Sequence, residues 1–458
     1  MALEEVKEFI LEKAEIFGGE ENFIKRDNTG DAALNDDGAF FGIIRPEEEA
    51  KGIYHDFSIV LFPGEKKKNW VIALGVGSGG FKNDYELSTY PGVRRLFQKL
   101  VDSNGNCKTD FSDIESTITS WISNREELQH IKKTLKKYTK FLPACEIIFD
   151  PSSTKAKDKI AAFVAAYAKM RDWPTNKKHR KNVAEALNPF LKQKQNDDEQ
   201  SVMQLLKNRK YLVLEGPPGT GKTRLAHKIA KSLDAETFFT QFHAETSYAD
   251  FIYGIRPDVE SEALKYKAKK GIFSKAIKSA EKEKTVLIID EINRANLSQV
   301  LGPIFYLFEP RRENTAAKIE IHPELELDKI PDNLYVIATM NTADRSLAVI
   351  DFALRRRFAW YPLYPRVISD ELEGESCFFE EDFLEFEQIF NWHASSDELL
   401  LQPGQAYFIA DSNDEMIQRI EYELFPLMKE YLRESFMISA KEDLNTYFSQ
   451  RISKSLEN

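Results

Sequence analysis

"YLVLEGPPGTGKTRLAHKIAKSL", residues 211–233, places an apolar run of strand length directly before a glycine-rich turn and an amphipathic helix. Within it Gly216, Pro217, Pro218, Gly219, Thr220, Gly221, Lys222 and Thr223 fit the GxxxxGK[ST] phosphate loop, in the strand-to-helix setting that loop requires. Glycines let backbone N–H groups close around a β-phosphate without Cβ obstruction, and the helix N-terminus adds partial positive charge. Lys222 is expected to neutralise the β and γ oxygens of a nucleoside triphosphate, and the Thr223 hydroxyl to ligate Mg²⁺.

Two later stretches complete the reading. "TVLIIDEINRAN", residues 285–296, is an apolar strand ending in two carboxylates. Asp290 suits the metal's water shell and Glu291 the base that orients and deprotonates the attacking water. "VIATMNTADRSLAVIDFALRRRF", residues 336–358, runs from a strand into Asn341 and ends on Arg355, Arg356 and Arg357. In a phosphate-loop sheet of the additional-strand kind, "LYVIATM" lies between the loop strand and the Asp-Glu strand. Asn341 then stands between the two motifs, where a neutral amide can hold water in line with the γ-phosphate, although a turn or helix N-cap also uses Asn. The three arginines leave the last turn of a short helix in different directions. Cations suit a helix C-terminus, and a guanidinium at a domain edge can also reach a neighbouring subunit's site, which implies a ring.

From about Ser201 strands alternate with helices, which predicts a parallel sheet covered on both faces, built from "YLVLE", "TFFTQF", "TVLIID", "LYVIATM" and "FAWYPL". The expected domains are an N-terminal α+β unit over 1–150, a helical connector over 151–200, the α/β nucleotide-binding subdomain over 201–365 and a helical lid over 366–458. In the first of these, "HDFSIVLF" and "NWVIALGVG" flank "PGEKKK" as a hairpin.

At 458 residues and 42% hydrophobic content the chain exceeds one core. No run reaches the roughly 18 residues of a bilayer span, and the amphipathic N-terminus lacks a secretory pattern, so a cytoplasmic location and no membrane partner are expected. Cys107, Cys145 and Cys377 are scattered and support neither a disulfide framework nor a zinc site. A formal charge of −11 argues against nonspecific coating of nucleic acid.

"FHAETSYADFIYGIRPDV" (242–259), "DEINRAN" and, most specifically, "MNTADRS" (340–346) followed by "LRRRF" resemble the McrB-type AAA+ motor subunits of modification-dependent restriction systems, over roughly residues 200–440. The resemblance implies an AAA+ core with strand order 5-1-4-3-2 and a helical lid. It implies that Asn341, Asp344 and Arg345 complete the water-positioning site, and that Arg294 and Arg355 or Arg356 face the next protomer's nucleotide. A homo-hexamer, GTP in preference to ATP, and a separate McrC-like endonuclease subunit are implied likewise. The guanine-reading NKxD of small GTPases is absent, Asn176 being followed by "KKH". "PGQAYF", residues 403–408, is loosely similar to a family segment before the last helices.

In such proteins the N-terminal domain commonly binds DNA, often a modified base flipped from the duplex. Phe57, Trp70, Phe81, Tyr85 and Tyr90 either stack on such a base or form core. Lys132, Lys133, Lys136, Lys137 and Lys140, like "KKHRK" at 177–181, either track phosphates or form a solvated face. "GVGSGG", residues 75–80, fits GxGxxG but lacks the helix a dinucleotide site needs, and reads as a turn. The leading expectation is a ring motor of a DNA restriction or phage-defence complex. Its rival is a nucleotide-driven protein remodeller whose N-terminal domain binds protein.

Overall fold

A computed structural model describes residues 3–35, 38–48, 52–63, 69–77, 90–108, 119–129, 131–190, 199–257, 266–309, 318–322, 325–343, 352–369, 371–372 and 376–456. The chain divides into two units, Met1–Lys194 with Asn391–Ser395, and Gln195–Phe390 with Ser396–Asn458.

The first unit is built on an antiparallel sheet of β1 (Ile24–Asn28), β2 (Phe40–Ile44), β3 (Phe57–Phe62), β4 (Asn69–Val76), β5 (Gly105–Cys107) and β6 (Ala144–Phe149), in the order β1-β2-β3-β4-β6-β5. The expected hairpin is β3 and β4, in register from Phe57 opposite Val76 to Phe62 opposite Val71. Side chains alternate across a strand, and here both faces are covered. Ile59, Leu61, Trp70 and Ile72 pack with the helix Thr154–Met170, whereas Val60, Phe62, Val71 and Ile147 pack with Ile122, Leu128 and Leu135. This corrects the base-stacking option for two aromatics: Phe57 and Trp70 are fully buried. Tyr90 lies on the His393 ring with centroids 4.4 Å apart, while Phe81 and Tyr85 fall outside the described residues.

The helices expected as a connector pack instead in this unit. Thr154–Met170 is alanine-rich, and Ala162, Phe163, Ala165, Ala166 and Tyr167 are fully buried in the same core as Trp70 and Phe97. The polar run 176–182 opens the helix Lys177–Leu187, with the Asn176 side chain capping it by accepting from His179 N–H at 2.8 Å. Lys133, Lys136, Lys137 and Lys140 are exposed. Gly77 explains part of the "GVGSGG" run: a Cβ there would meet the Tyr54 carbonyl oxygen at 2.0 Å, and residues 78–80 lie outside the described set.

The second unit carries a five-stranded parallel sheet: β7 (Tyr211–Gly216), β8 (Glu236–Gln241), β11 (Thr285–Asp290), β14 (Leu334–Asn341) and β15 (Ala359–Pro362), in the order β15-β7-β14-β11-β8. Numbered within this sheet alone, that is the expected 5-1-4-3-2. Two antiparallel ribbons are inserted, β9 (Tyr253–Pro257) with β10 (Tyr266–Lys270), and β12 (Ile319–His322) with β13 (Leu325–Leu327). Val213, Leu287, Ile289, Val336 and Ala338 face one helical layer, and Leu212, Leu214, Val286, Ile288 and Ile337 the other. Burial on both faces is why these strands read as continuous apolar runs. The helices Glu380–His393, Asn413–Arg419, Phe425–Arg433 and Lys441–Ile452 follow. Among the described residues no helix is long and apolar enough to cross a membrane.

In the first unit Glu146 is buried on β6, accepting from Asp102 N–H at 3.0 Å, with Lys159 Nζ at 3.8 Å. Burial pushes its carboxyl up to about 8 from an ordinary 4.5, its hydrogen bond to the Asp102 carboxylate adds to this, and Lys159 opposes it. Between those two values the unfolded chain has lost the proton that the folded chain keeps, so stability falls as pH rises through this window. The slope from one such group is at most about 1.4 kcal/mol per pH unit. Glu146→Gln keeps a donor and an acceptor without the charge. Urea unfolding from pH 5 to 8 is expected to show a shallower loss of stability in the variant, and an unchanged slope would contradict this account.

Candidate functional site

The phosphate loop follows β7, and its conformation depends on two glycines. Gly219 and Gly221 have φ of +80° and +81°, a region that other residues rarely adopt. Gly221 caps the helix Lys222–Ser232. Lys222 is buried, its Nζ donating to the carbonyls of Gly216 at 3.0 Å and Pro217 at 2.8 Å, and Thr220 Oγ1 also donates to Pro217 O at 2.8 Å.

Parallel pairing brings the other motifs alongside. Asn341 pairs with Gly216 in the ladder between β14 and β7, and Ala338 with Ile289 in the ladder between β14 and β11. The carboxyl ends of the three strands therefore share one edge. Asp290 Oδ1 accepts from Thr223 Oγ1 at 2.6 Å and from Thr339 Oγ1 at 2.7 Å. Glu291 has a left-handed backbone, φ 54°, unusual for a side chain with a Cβ. That turn is held by Glu291 N–H donating to Thr339 Oγ1 at 3.1 Å and by Arg294 N–H donating to Glu291 O at 3.0 Å. Asn341 Nδ2 donates to Glu291 Oε1, and Arg294 Nε lies 3.5 Å from Glu291 Oε2.

The arginines do not all diverge as expected: Arg355 goes its own way, while Arg356 and Arg357 converge on the Glu309 carboxylate. Arg355 is exposed and lies over the Trp360 ring at 4.6 Å. Its charge opposes the rise that burial imposes on the neighbouring Glu215 carboxyl. Arg356 is 71% exposed and paired with Glu309, while Arg357 is 13% exposed, 2.7 Å from Glu309 and 4.3 Å over the Phe305 ring. Arg357 is thus tied into the fold, and Arg355 and Arg356 are the two with exposed heads. Asp344 and Arg345 lie outside the described residues.

The donor set fits Mg²⁺. That ion keeps most of its waters and takes one or two protein oxygens beside phosphate, and Thr223 and Asp290 present two oxygens side by side. Among the described residues no group of three or more His, Cys, Asp or Glu side chains could hold a metal by itself.

Thr339 escaped the sequence reading because it looked like one more strand residue. Its signal was a hydroxyl on a strand otherwise apolar from Val336 to Met340, one strand away from Asp290.

A parallel sheet of this order, with a phosphate loop on one strand and an Asp-Glu pair two strands away, defines an AAA+ P-loop nucleotide-binding domain. Residues 211–358 match the AAA domain of the dynein-related subfamily. The chain is 41% identical over 177 residues to the type IV methyl-directed restriction enzyme EcoKMcrB subunit of Escherichia coli K12, covering 36% of this chain and 38% of that protein. It is 28% identical over 189 residues to the type II restriction enzyme BsuMI component YdiS of Bacillus subtilis 168, covering 32% of this chain and 55% of that one. The chain therefore spans well under two thirds of either curated relative. The Thermotoga maritima RuvB Holliday junction branch migration motor aligns over 45% of this chain and 51% of its own, at 20% identity and a TM-score of 0.23. The nucleotide-binding core is an AAA+ domain, and over 177 residues the chain is similar to an McrB subunit of a restriction enzyme.

Thr339→Val keeps the side chain's shape and removes the hydroxyl that accepts from Glu291 N–H. The expected cost is about 1–2 kcal/mol in urea unfolding. A variant as stable as the unaltered chain would show that the left-handed turn does not depend on this acceptor.

Proposed function

We propose that the chain is a nucleoside triphosphatase, acting on GTP in preference to ATP, that drives a DNA restriction or phage-defence complex as a homo-hexameric ring. The observation that carries this reading is the meeting of Lys222, Thr223, Asp290, Glu291 and Asn341 at one edge of the sheet, through the hydrogen bonds Thr223 to Asp290 and Asn341 to Glu291.

In this reading the amides of Gly219, Thr220, Gly221 and Lys222 hold the phosphates, and Lys222 leaves the loop carbonyls to neutralise the β and γ oxygens. Thr223 and Asp290 would hold Mg²⁺, which when bound offsets the charge developing on the phosphoryl oxygens. Glu291 accepts the proton of the attacking water, and Asn341, already donating to that carboxylate, fixes its direction and holds the water in line. At the left-handed turn the Glu291 carboxylate meets Asn341 at the tip of β14. Asp344 and Arg345 complete this part of the site. Arg294 and either Arg355 or Arg356 act on the neighbouring subunit's nucleotide, where a guanidinium at the transition state contributes most.

The N-terminal unit chooses the target, and DNA, plain or modified, is the proposed ligand. A separate McrC-like endonuclease subunit cuts. The likeness to a restriction subunit supports the partner and the DNA. The preference for GTP rests on the resemblance to McrB-type motors alone, since the guanine-reading NKxD of small GTPases is absent from the sequence.

Glu291→Gln is expected to bind nucleotide as the unaltered chain does and to hydrolyse it at least about 100-fold more slowly, as loss of a general base dictates. Hydrolysis of GTP and of ATP by the purified chain, with and without the McrC-like partner, measures this directly. A Glu291→Gln chain that retains turnover would overturn the assignment. For the target, binding of the full chain to DNA is expected to weaken steeply with salt, because phosphate contacts release counterions. No affinity for DNA at low salt would favour a remodeller that binds protein.

A further inference from the structure

The lid segment "PGQAYF", residues 403–408, lies against the phosphate loop and supplies donors to its carbonyls in sequence. Gly404 N–H donates to Pro218 O at 2.9 Å, Ala406 N–H to Gly219 O at 3.0 Å, and Gln405 Nε2 to Thr220 O at 3.0 Å. The two preceding carbonyls are held from within the core. Gly216 O accepts from Thr342 N–H at 3.1 Å and from Lys222 Nζ at 3.0 Å, and Pro217 O from Thr220 Oγ1 and Lys222 Nζ, each at 2.8 Å.

A trans peptide is planar, with its C=O and N–H pointing in opposite directions. Fixing the carbonyls of Pro218, Gly219 and Thr220 therefore fixes the N–H groups of Gly219, Thr220 and Gly221, the amides that close on a phosphate. Flexible glycines at 219 and 221 would otherwise let these planes turn, and a carbonyl turned inward would repel the anion.

The contact is close. A Cβ on Gly404 would lie 2.2–2.4 Å from backbone atoms of Gly219 and Thr220, so only glycine fits there. Gln405 is 7% exposed, and its Oε1 accepts from Arg366 N–H at 3.4 Å. That second bond fixes which end of the amide faces the loop, since the reverse orientation would set two carbonyls together.

We infer that Gln405 is a positioning residue for nucleotide binding, holding the phosphate loop in its anion-accepting form from the lid and so tying the lid's position to the loop's occupancy. This rests on the proposal that the loop takes a nucleoside triphosphate, and it assigns to the lid a role through the loop's backbone that requires no contact with the nucleotide. Lid movement that breaks these bonds loosens the grip on the phosphates, and a filled loop in turn draws the lid in.

Gln405→Glu tests this because its size is unchanged and its donor depends on pH. An ionised carboxylate repels Thr220 O, whereas a protonated one can donate to it. Affinity for a fluorescent GTP or ATP analogue is measured on the full chain in a Glu291→Gln background, relative to the same chain with Gln405 at each pH. Gln405→Glu is expected to bind about tenfold more weakly at pH 8 and to recover most of the loss at pH 5.5, while Gln405→Met is weak at both. A misfolded variant would not recover on acidification, so the reversal separates positioning from general damage. Equal affinity of all three chains at both pH values would overturn the inference while leaving the proposed function in place. Absence of triphosphate binding by the chain with Gln405 would overturn the functional reading itself, and this role with it.

Discussion

Parallel pairing of β14 with β7 on one side and β11 on the other decides which side chains can meet. With Asn341 beside Gly216 and Ala338 beside Ile289, the tip of β14 stands between the phosphate loop and the Asp-Glu turn. A slip of one residue in either ladder would send alternate side chains to opposite faces and turn Thr339 away from Asp290. Both faces of β14 are buried, so its register is held by the fit of Val336 and Ala338 against one helical layer and of Ile337 against the other.

On that frame hydroxyls, not cations, restrain Asp290. Its Oδ1 is held by Thr223 from the loop and Thr339 from the inserted strand, so three segments far apart in sequence are joined at one oxygen. Glu291 then leaves the strand in a left-handed conformation that costs about 1–3 kcal/mol and is compensated by Thr339 and the turn to Arg294. The segment at 403–408 completes the arrangement from the lid side. The loop is thus bounded by the sheet, by its own lysine and by the lid.

The second unit was largely legible in the sequence, since five apolar runs with turn or helix signals between them could form only one kind of sheet, and the spacing of "GPPGTGKT" and "DEINRAN" is dictated by the phosphate and the metal. Less legible were residues whose part depends on a distant partner. Thr339 read as strand, and Gln405 lay in a loosely matching run because its partners are backbone atoms, which leave no trace in residue type. In the N-terminal unit the aromatics were ambiguous. A central strand buried on both faces is apolar at every position, so Phe57 and Trp70 offered no period by which to distinguish core from surface. The helix at 154–170 reads as part of a connector because polar stretches follow it, yet its small alanines let it lie close to the sheet.

The proposed function depends on Lys222, Asp290 and Asn341 acting together on one triphosphate. The most direct measurement is a structure of the chain with Mg²⁺ and a non-hydrolysable GTP or ATP analogue. The account predicts Lys222 Nζ released from the carbonyls of Gly216 and Pro217 onto phosphate oxygens, with the metal beside Thr223 and Asp290 and the γ-phosphate facing Asn341. A nucleotide bound elsewhere, or Lys222 still holding the loop carbonyls with the analogue in place, would contradict it.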